Sequence, residues 1–219
     1  DEVRGLSIGS IVRTEGVVSV KPGILGKRIA YLAGSGMQIY FHTIDPPTLK
    51  VGDVVRVEGK LGTNGAETRI TISKQDKIVV LKNGEPPLPE PVALDEITDE
   101  TEGWFIETKG VVAQKLKNAF VLEEDGASMP AVLKSNALMN SPPIGIGDTV
   151  QLRGVVSKTK SGLRLLPRFP DDLAILEKAL PPSTPRRPRF TFLIPFAAFL
   201  AIILSSIIIR QYYLEKMKN

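Results

Sequence analysis

Apolar and polar residues alternate through the first 81 residues in short runs rich in Val, Ile and Thr, with Gly, Asn, Asp and Pro between them. A period of two with such punctuation predicts half-buried β-strands joined by tight turns. Residues 10–20 place Val12, Gly16, Val18 and Val20 on one side and Arg13, Glu15 and Ser19 on the other. Residues 27–33 and 37–43 form a hairpin around Gly34-Ser35-Gly36. Met37, Ile39 and Phe41 share one face of its second strand, and Gln38, Tyr40 and His42 share the other. Pro46-Pro47 excludes ladder pairing and marks a loop. Residues 53–61 alternate again with Val55, Val57 and Leu61 inward, Gly62 to Gly65 turns the chain, and strands follow at 68–73 and 76–81. No helical period appears before residue 170.

The pattern then repeats. Gly9, Ile11, Thr14, Gly16 and Val18 are echoed by Gly103, Phe105, Thr108, Gly110 and Val112, and Gly52-Asp53 by Gly147-Asp148, at an offset of 94 to 95 residues. Two copies of one all-β module are implied. The expected division is a first barrel at 1–82, a Pro-rich and acidic linker at 83–102, and a second barrel at 103–178. A Pro/Arg stalk at 179–189 follows, then an apolar span at 190–210 and a basic tail at 211–219.

Five strands per module, with a glycine inside the first that lets it bend and serve both halves of a closed sheet, suit a small Greek-key barrel. The order resembles the OB-fold. More closely, Val3-Arg4-Gly5-Leu6, Gly16-Val17-Val18, Val51-Gly52-Asp53 and Glu67-Thr68-Arg69-Ile70 are similar to the OB-fold repeats of exported bacterial proteins. In that family the repeats accompany lamin-tail-like domains or secreted nucleases. The resemblance covers residues 3–81 well and 103–176 more loosely, and implies an exported setting. The helix usual between strands three and four is replaced by the Pro-Pro loop, so weaker barrel closure at one end, or closure by the neighbouring module, is expected.

Residues 190–209 pass without a charge. At 1.5 Å of rise per residue, about 20 such residues cover the roughly 30 Å core of a bilayer. The fold class expected is therefore all-β, two tandem five-stranded OB-fold-like barrels followed by a single C-terminal transmembrane α-helix. The flanks also locate the charge. Residues 1–92 carry +2, residues 93–185 carry −3 and residues 186–219 carry +5, so the net +4 belongs to the membrane flanks. Four cations precede the span (Lys178, Arg186, Arg187, Arg189) and three follow it (Arg210, Lys216, Lys218), which does not orient it. The family resemblance and the short tail favour barrels outside and tail inside.

The chain holds one His, no Cys, and no GxSxG, P-loop or HExxH sequence, so no enzyme and no cofactor is expected. His42 reads as an exposed strand residue without a base or orienting partner, and Glu123-Glu124-Asp125-Gly126 as a solvated hairpin turn rather than a calcium loop. The outward face of the first barrel is richer. Arg13, Gln38, Tyr40, His42, Arg56, Lys60 and Arg69 project there, with Lys27 and Arg28 nearby, and Tyr31 belongs either beside them or in the core. Rings that stack on bases among cations that neutralise phosphates are the ingredients of a single-stranded DNA or RNA site. The plain alternative is a solvated face whose cations pair with Glu15 and Glu58. In the second barrel Glu107 stands where Arg13 does and Pro130 interrupts the third strand, which suits a spacer or a protein contact. The partners expected are the bilayer and single-stranded nucleic acid. The alternative is a structural stalk or adaptor docking another envelope protein or an upstream enzymatic domain.

Overall fold

A glycine inside a strand removes the side chain where two neighbours must approach, and both modules use this device in their first strand. Strand β1 (Ile11–Val20) pairs antiparallel with β4 (Val54–Asn64) through seven register pairs, from Ile11 to Val17. From Val17 onward it pairs with β2 (Ile29–Ala33). The exchange of partners falls beside Gly16, where a Cβ would stand 3.0 Å from the Ala33 carbonyl oxygen and from Leu32 Cβ. Strand β2 turns into β3 (Met37–Phe41), which pairs in parallel with β5 (Glu67–Ile72), and β5 returns antiparallel to β4. The circuit β1-β2-β3-β5-β4-β1 is closed, the five-stranded Greek-key arrangement of an OB-fold barrel. Strand β6 (Ile78–Lys82) adds to the edge of β4.

The second module follows the same circuit. Strands β8 (Phe105–Lys115), β9 (Ala119–Glu124), β10 (Ala127–Val132), β12 (Gly162–Leu166) and β11 (Thr149–Thr159) close in that order. Strand β8 changes partner from β11 to β9 at Val111, beside Gly110. Short β7 (Glu90–Pro91) lies parallel on β8, and β13 (Leu173–Glu177) pairs with β11. These barrels come from a computed structural model that describes residues 3–135 and 143–180. No helix among the described residues is long and apolar enough to cross a membrane. The expected helix at 190–210, the tail and the stalk beyond Leu180 lie outside the described residues.

Each barrel has its own core. Val12, Val18, Leu32, Ile39, Phe41, Val57 and Ile70 fill the first; Ile106, Val112, Phe120, Leu122, Leu152 and Leu165 fill the second. The connection after β3 has no helix, yet closure between β1 and β4 is not weakened, because Leu49 and Ile44 from that connection pack on the core. The Gly-Asp pairs hold the entry to the fourth strand. Asp53 accepts from the Lys50 amide at 2.7 Å and from Asn83 Nδ2 at 2.8 Å. Asp148 accepts from the Gly145 and Ala179 amides and from Lys178 Nζ. The Lys178 ammonium and those amides hold the Asp148 carboxyl down at about 2.

The linker is anchored at points along its length: Leu94 and Ile97 are buried in the second core, and the Glu102 carboxylate accepts from the Thr68 amide of β5 at 2.6 Å. Three local expectations are corrected. Strand β4 runs on to Asn64, so the turn is confined to Gly65 and Ala66. Pro130 does not interrupt β10, whose ladder to β9 is continuous from Ala127 to Val132; the opposite edge meets β12 only at Ala131. Val20 does not face the first core. A register shift between Val18 and Val20 rotates the strand end, so Val20 points out of the barrel.

What Val20 meets is a third apolar cluster, between the barrels. Val20, Leu25 and Tyr31 of the first pack with Phe105, Val155 and Leu166 of the second. The Gly34–Gly36 turn abuts Gly103, whose φ of +77° is open to few residues but glycine. Arg4 donates to the Gly36 carbonyl at 2.6 Å and pairs with Glu102 at 3.3 Å. Arg168 lies over the Phe105 ring at 3.5 Å, donates to the Ser19 carbonyl at 2.9 Å and pairs with Asp172.

Candidate nucleic-acid interface

Register across the first barrel decides which of the predicted residues meet. Strand β3 sets Tyr40 opposite Thr71 of β5, and β5 sets Thr71 opposite Lys60 of β4. Paired residues point to the same side of a sheet, so Tyr40, Thr71 and Lys60 form one row on the outer surface. Ile29 of β2 and Ile11 of β1 extend that row at its ends. Arg69, two residues before Thr71, bends over Tyr40, its guanidinium carbon 4.3 Å from the ring centroid. The His42 ring lies 6.0 Å from that of Tyr40, tilted by 52°, and Arg28 donates to the His42 carbonyl at 2.5 Å. Tyr40, Arg69, His42, Arg28 and Lys60 therefore form one platform of two rings and three cations.

Other predicted residues stand apart. Arg56 is held by Glu15 at 2.7 Å, an exposed pair. Arg13 is exposed on β1 opposite Glu58, which Lys77 engages. Lys27 is exposed in the loop ahead of β2. Gln38 is the clear correction: it is 2% exposed, and its amide donates to the Tyr31 hydroxyl at 2.8 Å inside the junction between barrels. Alternation rightly put it outside the barrel core, but the space there is filled by the second barrel.

That junction contains groups the sequence pattern did not single out. The Tyr31 hydroxyl donates to Glu67 Oε1 at 2.7 Å, and Ser157 Oγ of the second barrel donates to Oε2 at 3.1 Å. Arg164 donates to Ser157 Oγ at 3.4 Å, and Lys134 lies close by. Glu67 is 4% exposed, and burial pushes its carboxyl above the usual value while the two hydroxyl donors oppose that rise. Burial, and then Glu67 itself, raises the Tyr31 phenol. The signal that could have found Glu67 is a lone acid on the outer side of β5, in line with Tyr31 and Gln38.

A pH dependence follows from that carboxyl. A group whose folded pKa is raised contributes stability below its unfolded value, 4.5, that is lost as pH rises through the folded value. Stability should thus decline with pH in that window. Glu67→Gln, which cannot ionise, is expected to flatten the decline, as urea unfolding at a series of pH values would record. An equal slope in both proteins would remove Glu67 as its source.

The second barrel offers a cleft of about 440 Å³ lined by Pro91, Val92, Glu107, Lys109, Gln151 and Leu176. The hairpin turn is confined to Asp125 (φ 50°) and Gly126 (φ 85°), while Glu123 and Glu124 belong to β9 and Glu124 pairs with Lys109. Among the described residues no group of three acids or histidines is placed to hold a metal ion.

No family model and no curated protein matches the chain. Solved structures do. A murine DNA-binding protein bound to double-stranded DNA is similar over 80% of this chain and 98% of its own, with 13% identity and a TM-score of 0.36. The single-stranded DNA-binding protein of Thermus aquaticus is similar over 83% of this chain and 100% of its own, with 13% identity and a TM-score of 0.27. A putative aspartyl-tRNA synthetase from Leishmania major is similar over 46% of this chain, at 14% identity and a TM-score of 0.35; that match spans 23% of the synthetase.

Proposed function

We propose that this chain binds single-stranded nucleic acid on the outer face of its first barrel, held at a membrane by residues 190–209 with the barrels outside. The observation that carries the binding is the stack of Arg69 over Tyr40 at 4.3 Å, flanked by His42, Arg28 and Lys60. A ring in such a row can take a base on its face while the surrounding cations take the phosphates. The anchor is supported by twenty uncharged residues between basic flanks.

With the full chain in mild detergent and a labelled oligothymidylate, log K should fall with log salt at a slope of about −0.7 for each phosphate contacted. Tyr40→Ala should weaken binding by ~1–3 kcal/mol. Arg56→Ala should do less, since Glu15 already holds that guanidinium. Salt-independent binding, or none, would remove this function.

A second reading has its own support. Part of the outer face of β2 and β3, at Tyr31 and Gln38, is occupied by the second barrel. A rigid pair of barrels on a stalk suits an adaptor that spaces or docks another envelope protein, and it predicts no oligonucleotide affinity.

A further inference from the structure

The outer face of β8, β11 and β13 departs from its counterpart in the first barrel at three positions. There Glu15 of β1 stands opposite Arg56 of β4, and Arg56 opposite Val79 of β6; the two charges pair at 2.7 Å. In the second barrel the same register sets Lys109 opposite Gln151 and Gln151 opposite Ala174. The acid is replaced by a lysine, the arginine by an uncharged carboxamide and the valine by an alanine, at offsets of 94 to 95 residues. Lys109 turns instead to Glu124 of β9 at 3.4 Å. Gln151 is half-buried, and among the described residues its carboxamide has no hydrogen-bond partner.

Gln151 lines the cleft of about 440 Å³. The outer face runs from β13 through β11 and β8 to β7, so Gln151 of β11 lies between two apolar walls. Pro91 and Val92 stand on one side, fixed by the Val92 amide, which donates to the Glu107 carbonyl at 3.0 Å. Exposed Leu176 of β13 stands on the other. A cleft of this size, with apolar walls and few polar groups, suits a small molecule. Its charges are already satisfied: Glu107 holds Arg153 at 2.6 Å, and Glu124 holds Lys109. A charged ligand would have to disturb one of these pairs, whereas an uncharged one leaves both intact.

The polar group left to recognise a ligand is the Gln151 carboxamide, which presents an acceptor and a donor side by side. Two bonds to it at once require an N–H and a C=O side by side on the ligand. A lactam, a cyclic imide and a pyrimidine have that edge; a trans peptide bond turns its two groups apart. We propose that the cleft beside Gln151 binds a small uncharged heterocycle through such a cis-amide edge, its ring held between Val92 and Leu176. A pyrimidine in a nucleic-acid strand carries the same edge, but Lys109, which lines the cleft, is held by Glu124 and is not free for its phosphates. The site is therefore separate from the Tyr40 platform, and its test does not depend on oligonucleotide binding there.

The probe is δ-valerolactam, a ring with one cis-amide, titrated against the full chain in mild detergent. Main-chain and glutamine side-chain amide resonances are followed by NMR. Saturable shifts are expected at Val92, Lys109 and the Gln151 carboxamide. The N-methyl lactam keeps the ring and carbonyl and leaves the protein untouched; it should bind ~10-fold more weakly for lack of its donor. Gln151→Leu should weaken the lactam by about 10-fold as well, while the melting temperature holds. Oligothymidylate should leave the Gln151 signal in place. Absence of saturable shifts, equal binding of the two lactams, or movement of the Gln151 signal by oligothymidylate would overturn the proposal. The last would mean that the cleft takes a base of a strand and not a free heterocycle.

Discussion

Gly103→Ala is expected to unfold the junction between the barrels. A Cβ at Gly103 would stand 1.6 Å from the Gly36 carbonyl oxygen and 2.5 Å from its carbon, backbone atoms that cannot swing aside. The φ of +77° adds its own strain for any residue with a side chain. Together they place the cost on the order of 3–5 kcal/mol, the range reserved for clashes and broken buried networks. Trp104, the only tryptophan in the chain, follows Gly103 and lies against the Gly36 turn, so its fluorescence reports the junction during urea unfolding. Gly126→Ala is the control: its φ is +85° but nothing lies within 4 Å, so only about 1–2 kcal/mol of backbone strain is expected. Equal costs for the two variants would mean that the turn does not press on Gly103 in solution.

Arg168→Met is expected to cost about 3–5 kcal/mol, because it strands a buried carboxylate. Arg168 is 8% exposed, and three interactions converge on it: Asp172, the Ser19 carbonyl across the junction, and the face of Phe105. Methionine keeps much of the volume and loses the charge and the donors. Adding Asp172→Asn should restore more than half of the loss, since the amide oxygen can still accept from the Arg168 and Phe169 backbone N–H groups. If the double variant is no more stable than the single one, the lost bond to Ser19 dominates, and the ion pair does not.

Much of the barrel architecture is legible in the chain. The inward residues Met37, Ile39, Phe41, Val55, Val57 and Leu61 are all in the first core, as alternation predicts. The glycines at 16 and 110 mark where a first strand changes partners. The platform of Tyr40, Arg69, Lys60 and His42 was half legible. Alternation says each side chain points outward, but only the register of β3 on β5 and of β5 on β4 makes them neighbours. The two-residue turn at Gly65 and Ala66 sets the register of β5 on β4, but sequence spacing carries no information about that of β3 on β5, strands about 30 residues apart.

The junction was not legible for a related reason. Alternation puts Gln38 outward, leaves Tyr31 open and puts Val20 inward until a register shift turns it out, and an outward position on a strand says nothing about what covers it. The second barrel covers these, burying a tyrosine and an acid that would otherwise face water. Period-two alternation determined which side of each strand faces its own barrel, because that is a local consequence of the pleat. Which outward side chains face solvent and which face another barrel was decided by tertiary structure alone. It depends on surfaces brought together from residues as far apart as Ser19 and Arg168, and burial is a property of both surfaces at once.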